Sequence, residues 1–283
     1  MNVRIRRFRA ATAVRLERVR TRPGIPFAAV AGLLGLLLAA CTSPTPPSSG
    51  APTPSGPQDA EIAGWRLSLP EENDNGDART VDPAVLSPPY LIREQGGELT
   101  FWAPVEGATT RNSDQARTEI SSNENFPAGS AAHELRASVA VVQVPPETQD
   151  VIIGQIHGAD DLISVAFVML HYTGGAVHVV VKHEHEGDES TDLPLLTGVP
   201  LGAPFDFTMR DNGNGSLTFA ANHGSQHATV DTALPPAFAG ATVRFQFGAY
   251  QQDSSDSDPG PADGARVTFS TATTTSGPVV PLP

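Results

Sequence analysis

Short runs in which apolar and polar residues alternate dominate the chain between residues 61 and 274. The runs are rich in Val, Ile, Phe and Tyr, which favour extended backbone, and no stretch has a long apolar repeat of 3.6 residues. Many short strands in one domain of this length predict an all-β fold, a β-sandwich or jelly roll. The predicted strands are His133–Val144, Val151–His157, Ser164–Tyr172, Val177–Lys182, Phe205–Arg210, Ser216–Ala221 and Val243–Tyr250.

One turn between these strands is unusually well marked. The residues Asp211-Asn-Gly-Asn-Gly215 separate the apolar runs FDFTM and SLTFA. Asn and Gly tolerate positive φ, which tight hairpin turns require. The sequence therefore predicts a β-hairpin here.

The strand VIIGQIH, residues 151–157, carries two polar side chains in an apolar setting. Side chains alternate across a strand, so Val151, Ile153, Gln155 and His157 are expected on one face. By the same rule Ile152 and Ile156 point into the core.

Two further strands show the same division into an apolar and a polar face. In one strand Arg117 and Glu119 oppose Thr118 and Ile120. In the other, two phenylalanines oppose a polar set, which consists of Arg244, Gln246, Tyr250 and Gln252. A solvated sheet face explains such patterns, but Arg, Gln, His and Tyr suit a binding groove better than the usual Thr, Ser, Lys and Glu. Composition alone leaves both interpretations open.

The first 41 residues have the pattern of an export signal. Eight arginines precede an apolar run from Ile25 to Leu38, which ends in Leu38-Ala-Ala-Cys41, with the only cysteine of the chain. This order is typical of a signal peptide, and its end resembles a bacterial lipobox. We expect Cys41 to be lipidated and the exported protein to be anchored at the cell surface by lipid alone. The alternatives are an ordinary secretory signal, which gives a fully secreted protein, and an uncleaved anchor.

Composition divides the rest of the chain. Residues 42–60 are rich in Pro, Ser, Thr and Gly and predict an extended tether. The folded domain is expected over residues 61–274, followed by a Pro-rich tail at 275–283.

The charge of the chain limits its partners. The 18 basic and 31 acidic residues give −13; without the signal, which contains eight Arg and Glu17, 10 stand against 30, or −20. This balance argues against a nucleic-acid partner. An acidic substrate is compatible with it only if the few cations are concentrated at one site.

Four blocks of the domain resemble, in order, alginate lyases of polysaccharide lyase family seven. Trp65–Pro70 (WRLSLP) is similar to the opening strand of that family, and three blocks follow it: Phe101–Glu119 (FWAPVEGATTRNSDQARTE), Gln155-Ile-His157 and Phe245–Gln252 (FQFGAYQQ). The resemblance spans nearly the whole domain. It implies a β-jelly roll with a concave groove and a lyase that cleaves a 1,4-linked polyuronate, alginate first of all, by β-elimination.

The resemblance also implies roles for individual residues. Arg117 would pair with the substrate carboxylate, and Gln155 would donate a further hydrogen bond to it. His157 would be the base or a charge neutraliser, and Tyr250 the acid that protonates the leaving O4 and, for some uronate stereochemistries, also the base. The scheme needs no metal and no cofactor. Five further residues are expected to contact substrate: Glu119, Arg244, Gln246, Gln252 and Lys182.

The sequence departs from the family pattern at two expected cations. Where the family often has R-T-E-L-R-E, Ser121 replaces the second arginine. In the Y-F-K-x-G-x-Y-x-Q pattern, Gln246 replaces the lysine and Arg244 replaces the first tyrosine, on the same face, where it can restore a charge. We therefore expect an altered substrate preference. Isoleucine between Gln155 and His157 is associated in the family with guluronate-containing substrates.

Two polar segments resemble metal sites. In Lys182–Glu189 (KHEHEGDE), alternation places His183 and His185 together with Glu184 opposite, and a polar loop is the expected structure. Asp253–Asp258 (DSSDSD) lacks the spacing of an EF-hand, so an acidic loop is expected there.

The leading hypothesis is an exported polysaccharide lyase that acts as a monomer on an acidic polysaccharide. One alternative is a lyase for another polyuronate, such as glucuronan. The other is a jelly-roll module that binds polyuronate at the cell surface without cutting it.

Overall fold

The computed structural model describes residues 64–83, 86–111 and 113–277. The predicted export signal with Cys41, the tether and residues 278–283 lie outside this part of the chain. Among the described residues, no helix has the length and apolar character needed to cross a membrane.

The described residues form sixteen strands and three short 3₁₀ helices. The helices are Asp160–Leu162, Pro236–Phe238 and Ser255–Ser257. In chain order the strands are β1 (Arg66–Glu72), β2 (Ala78–Val81), β3 (Leu91–Arg93), β4 (Leu99–Pro104), β5 (Arg117–Ser121), β6 (Phe126–Pro127), β7 (Ala132–Gln143), β8 (Asp150–Gly158), β9 (Ala166–Thr173), β10 (Ala176–Lys182), β11 (Ser190–Leu196), β12 (Pro204–Asn212), β13 (Ser216–His223), β14 (Gln226–Ala233), β15 (Thr242–Gln251) and β16 (Gly264–Gly277).

The strands pair in two antiparallel sheets. The first sheet has the order β11-β10-β9-β8-β15-β5-β1-β2, with β6 added beside β15. The second has the order β14-β13-β12-β7-β16-β4-β3. Neighbours in each sheet are often far apart in sequence, as in the jelly roll that the strand pattern and the family resemblance predict. The all-β prediction is confirmed.

The core lies between the two sheets and is filled by alternate residues of their strands. Aromatic rings of three strands meet edge to face there: the ring centroids of Phe101 and Phe247 are 5.9 Å apart, and those of Phe101 and Phe269 are 5.5 Å apart. All three rings are fully buried. Burial of each such side chain stabilises the fold by roughly 1.5–3 kcal/mol. This domain contains no cysteine, so its stability depends on such burial and not on disulfides.

The seven predicted strands all form, and the predicted hairpin joins β12 to β13. Pattern analysis missed three long strands, β11, β14 and β16, whose outward positions carry Thr, Ser and Asp instead of a regular apolar alternation. Two of them, β11 and β14, are edge strands and are half exposed. Few of their positions are buried, so their sequences show little apolar periodicity. β16 ends at Gly277 and therefore extends past residue 274, the predicted end of the folded domain.

Strict alternation along VIIGQIH is wrong at one point. The pairing of β8 with β9 shifts between Ile152 and Gly154, a β-bulge that adds one residue to β8. As a result Ile153 packs in the core, as does Val151, whereas Ile152 lies on the polar face beside Gln155. Neither Val151 nor Ile153 therefore shares a face with the polar pair.

Candidate active site

The three strands with polar faces are neighbours in the first sheet, in the order β8-β15-β5. Their register pairs Tyr250 with Arg117, and Gln246 with Gln155. The polar faces line one groove of about 390 Å³. The alternation of β5 and β15 predicted this face correctly, because Ile120, Phe245 and Phe247 pack in the core behind it.

Arg117, Glu119 and Gln155 form one hydrogen-bonded unit in the groove. Arg117 Nη1 donates to Glu119 Oε2 over 3.2 Å, and Gln155 Nε2 donates to Glu119 Oε1 over 2.7 Å. Burial raises the pKa of Glu119, while the charge of Arg117 acts in the opposite direction. Glu119 therefore fixes the orientation of both neighbours instead of presenting a free carboxylate to the groove.

Several polar atoms in the groove are buried without a hydrogen-bond partner among the described residues. They include Arg117 Nε, Arg244 Nε and Gln155 Oε1. A buried donor or acceptor without a partner costs roughly 1–3 kcal/mol, so native proteins keep few of them. Three of the five such atoms among the described residues belong to groove-lining residues, and the other two are His171 Nε2 and Gln251 Nε2.

His157 is held as a neutral imidazole. Its Nδ1 lies 2.9 Å from the carbonyl oxygen of Gly158, which can only accept, so Nδ1 carries the proton and Nε2 keeps a lone pair. Burial lowers the pKa of His157 to about 4, and the charges of Arg117 and Arg244 act in the same direction. At neutral pH the imidazole is uncharged, the protonation state that a base requires.

Tyr250 is fixed on both its ring and its hydroxyl. The guanidinium carbon of Arg117 lies 3.6 Å from the centre of the ring, in a cation–π contact. The hydroxyl lies 2.8 Å from Ser113 Oγ. Because Ser113 Oγ donates its own proton to the carbonyl oxygen of Gln115, Tyr250 is the donor in this pair.

The groove concentrates positive charge in an acidic domain. Four of its lining residues are arginines, and Glu119 is the one carboxylate among them. The charge balance allows an acidic substrate only if the cations gather at one site, and this groove meets that condition. The arginines are Arg66, Arg111, Arg117 and Arg244.

The structure brings together most of the predicted site residues. Arg244, Gln246 and Gln252 line the same groove as the four residues with implied catalytic roles. Lys182 is not among the lining residues; it ends β10, three strands away from β15.

The two histidines of the polar loop do not form a shared site. His183 contacts Glu189 and Thr191, whereas His185 Nε2 lies 2.7 Å from the carbonyl oxygen of Ala237. Their predicted pairing on one face is wrong, because the loop between β10 and β11 turns between them. In the part of the chain that the structure describes, no group of three His, Cys, Asp or Glu side chains could hold a metal ion.

Sequence reasoning missed several lining residues. Arg66 and Ser68 alternate with the buried Leu67 and Leu69 on β1, so the same rule of alternation identifies them. Ile152 was hidden by the bulge. Ser113, which contacts the hydroxyl of Tyr250 without being a lining residue, lies in a loop and leaves no periodic signal.

Comparisons with known proteins agree on one family. A family model described as alginate lyase matches residues 60–276. An alginate lyase from Klebsiella pneumoniae is 23% identical over 297 residues, which cover 83% of this chain and 95% of that protein.

Solved structures with the same fold are also alginate lyases. The crystal structure of one from Pseudomonas aeruginosa is similar with a TM-score of 0.67 and 27% identity, over 76% of this chain and 99% of that one. A crystallised alginate lyase of polysaccharide lyase family 7 is similar with a TM-score of 0.63 and 23% identity, over 77% of this chain and 96% of that one.

Proposed function

The chain belongs to the alginate lyase family, and we propose that it cleaves alginate by β-elimination in the groove between β8, β15 and β5. The products are two shorter chains, one of which carries a C4–C5 double bond on its terminal uronate. The chemistry requires a group that neutralises the uronate carboxylate, a base for the C5 proton and an acid for the leaving O4.

Arg117 binds the carboxylate of the sugar that loses its proton. Removal of the C5 proton pushes negative charge onto that carboxylate, and a guanidinium offers it a rigid fork of donors. Glu119 holds Arg117 in place, and Arg117 Nε has no hydrogen-bond partner among the described residues. Gln155 stands beside it, with one amide proton on Glu119 and its second free for the carboxylate.

His157 takes the C5 proton. Its Nε2 has a free lone pair, and its lowered pKa of about 4 keeps that lone pair available through the neutral range. A weak base of this kind is effective here only because Arg117 stabilises the charge that develops as the proton leaves.

Tyr250 donates its proton to O4 as the bond between C4 and O4 breaks. Its hydroxyl already donates a hydrogen bond, to Ser113, and the substrate oxygen replaces Ser113 as the acceptor. The electron pair of the former C5–H bond becomes the C4–C5 double bond, and that of the broken bond stays on O4.

One observation carries this assignment: Arg117, Gln155, His157 and Tyr250 come from three neighbouring strands and line a single groove, with the guanidinium of Arg117 stacked on the ring of Tyr250.

The test is a set of rate measurements with the full chain on polyguluronate, polymannuronate and glucuronan. Product is followed by the ultraviolet absorbance of the unsaturated uronate. We expect product from at least one of the two alginate polymers, polyguluronate first because of Ile156, and loss of that activity in Tyr250→Phe. Product from glucuronan alone would replace alginate as substrate, and polymer binding without product would indicate the module that binds but does not cut.

The proposal includes export and a lipid anchor. Cys41 follows the apolar run and small residues of the signal, and the acidic polysaccharide substrate is extracellular in this scheme. The anchored enzyme acts as a monomer. Cys41→Ser is expected to move the protein from the membrane fraction to the medium; equal membrane retention of both forms would contradict the lipid anchor.

A further inference from the structure

Arg66 lies in the groove, and its side chain has no ion-pair or hydrogen-bond partner in the part of the chain that the structure describes. It is the first residue of β1, and its side chain lines the groove while Leu67 and Leu69 are buried in the core. No carboxylate among the described residues forms an ion pair with its guanidinium. Arg79, on the adjacent strand β2, instead pairs with Glu71 at 3.0 Å.

The register places Arg66 at the end of a polar row across the sheet. Arg66 pairs with Ser121, Ser121 with Gln246, and Gln246 with Gln155. All four residues line the groove, and strands in such a row lie about 4.8 Å apart. The side chain of Ser121 ends at a hydroxyl, so it does not fill the space beside Arg66.

A second arginine, also without an ion-pair partner among the residues described, faces the same groove. Arg244 is paired with His157 across β15 and β8, and its Nε is buried without a hydrogen-bond partner. Burial lowers the pKa of Arg244, and the charge of Arg66 acts in the same direction, whereas the charges of Asp160 and Glu119 act against it. The two guanidinium groups are therefore close enough to repel each other; Asp160 and Glu119 offset this repulsion in part, and an anion bound between the guanidinium groups would reduce it further.

We propose that Arg66 and Arg244 form a second carboxylate site, which binds a uronate carboxylate other than the one held by Arg117. Ser121, which pairs with Arg66, is four residues from Arg117 on β5, a distance of about 13 Å along the strand. A polyuronate carries one carboxylate on every sugar, so a chain bound at the reaction centre presents further carboxylates to this site. The inference rests on the proposed function, because it assigns a second part of the same substrate.

The proposed second carboxylate site provides a replacement for the two missing cations. Ser121 and Gln246 lack the charges that the family pattern places there, and Arg66 and Arg244 supply two charges from neighbouring positions. With these two arginines the groove keeps its affinity for an acidic substrate. Because the cations occupy different positions, the arrangement of carboxylates that binds best also changes.

The experiment compares the full chain with Arg66→Gln, Arg66→Lys and the control Arg79→Gln. Arg79 is also an exposed arginine at this end of the sheet, but it does not line the groove. Steady-state rates are measured on polyguluronate and polymannuronate at several salt concentrations. For Arg66→Gln we expect KM to rise on the order of tenfold, because a charge-assisted contact to bound substrate is lost, and kcat to change by less than about twofold.

Two further results are expected from the same data. The dependence of KM on salt becomes weaker in Arg66→Gln, because one charge no longer contributes, and Arg66→Lys lies between Arg66→Gln and the unaltered protein. Arg79→Gln leaves both constants unchanged.

The outcomes separate this inference from the proposed function. Product formation with an unchanged KM in Arg66→Gln, or an equal rise in Arg79→Gln, overturns the second carboxylate site and leaves the lyase intact. If the unaltered protein forms no product, the proposed function fails, and the Kd values of both polymers for the full chain and for Arg66→Gln decide the site: equal values overturn it, and a weaker Kd in the variant supports it.

Discussion

Two groups of charged residues, each centred on a buried glutamate, differ in how many of their polar atoms have a partner. On the outer face of the second sheet, Glu134 is bound by Arg136 and by Arg210. In the groove of the first sheet, Glu119 is bound by Arg117 and Gln155, but donors of Arg117 and Arg244 and the oxygen of Gln155 have no partner. We call the group around Glu134 the outer cluster.

The difference separates a structural use of buried charge from a functional one. In the outer cluster the carboxylate of Glu134 pairs with two guanidinium groups. Its pair with Arg210 connects β7 to β12. In the groove the same residue types are left incomplete, and a buried unpaired charge is unfavourable unless a ligand or a proton completes it. An arginine in a strand therefore says little about function until its partners are known.

The largest expected effect is on catalysis in the groove. Replacing the proposed base in His157→Asn should lower kcat/KM on the order of 10²- to 10⁴-fold, because proton transfer to a positioned base contributes that much. The control is His171→Asn, a buried histidine on the neighbouring strand whose Nδ1 contacts Asp150 at 3.0 Å. Equal losses of lyase activity in the two folded variants would contradict the special role of His157.

A change in the outer cluster should affect stability and not activity. Glu134→Gln removes the charge shared by Arg136 and Arg210, and we expect the free energy of unfolding to fall by about 3 kcal/mol. Urea unfolding measures this change. The kcat of the folded variant should equal that of the unaltered protein; a large loss of kcat would show that the two groups are not separate in function.

The pH dependence tests how far burial has shifted His157. The base works when neutral, so kcat/KM should stay level from neutral pH down to its pKa of about 4 and then fall about tenfold per pH unit. An unshifted histidine would lose activity already near pH 6.5. Glu119, whose pKa is raised by burial, is a second group that gains a proton on acidification. The acid limb that survives in Glu119→Gln therefore reports on His157, and an NMR titration of its ring provides an independent value.

The smallest expected effect is on the alignment of Tyr250. Ser113→Ala removes the acceptor of its hydroxyl at 2.8 Å, and we expect kcat to fall by roughly three- to fivefold, the value of one hydrogen bond of about 1 kcal/mol. Ser270→Ala, which removes a hydroxyl contact to the backbone of Ser138 in the second sheet, is the matched control. An unchanged kcat in Ser113→Ala would leave alignment of the hydroxyl to the stacking on Arg117 and to Gln115 Oε1, which lies 3.5 Å from the hydroxyl.

Local pattern was sufficient wherever one sheet face is buried and the other is polar. It placed Arg117, Gln155, His157 and Tyr250 on the groove side, because burial of Ile120, Ile156 and Phe247 fixes the register of each strand. It failed for Ile152 and Ile153, since a bulge breaks the period of two without changing the composition. It also failed for β14, whose outward residues are solvated and whose sequence therefore carries little trace of the strand.

The sequence by itself determined the all-β fold, the family resemblance and the polar faces, because these depend on periodicity and composition within each strand. Only the tertiary structure decided which side chains meet. Gln155 and Glu119 are 36 residues apart, and Tyr250 and Ser113 are 137 apart. Pairing of distant strands sets such contacts. The same pairing gives Glu134 two arginine partners, whereas it leaves Arg66 and Arg244 without an ion-pair partner among the described residues.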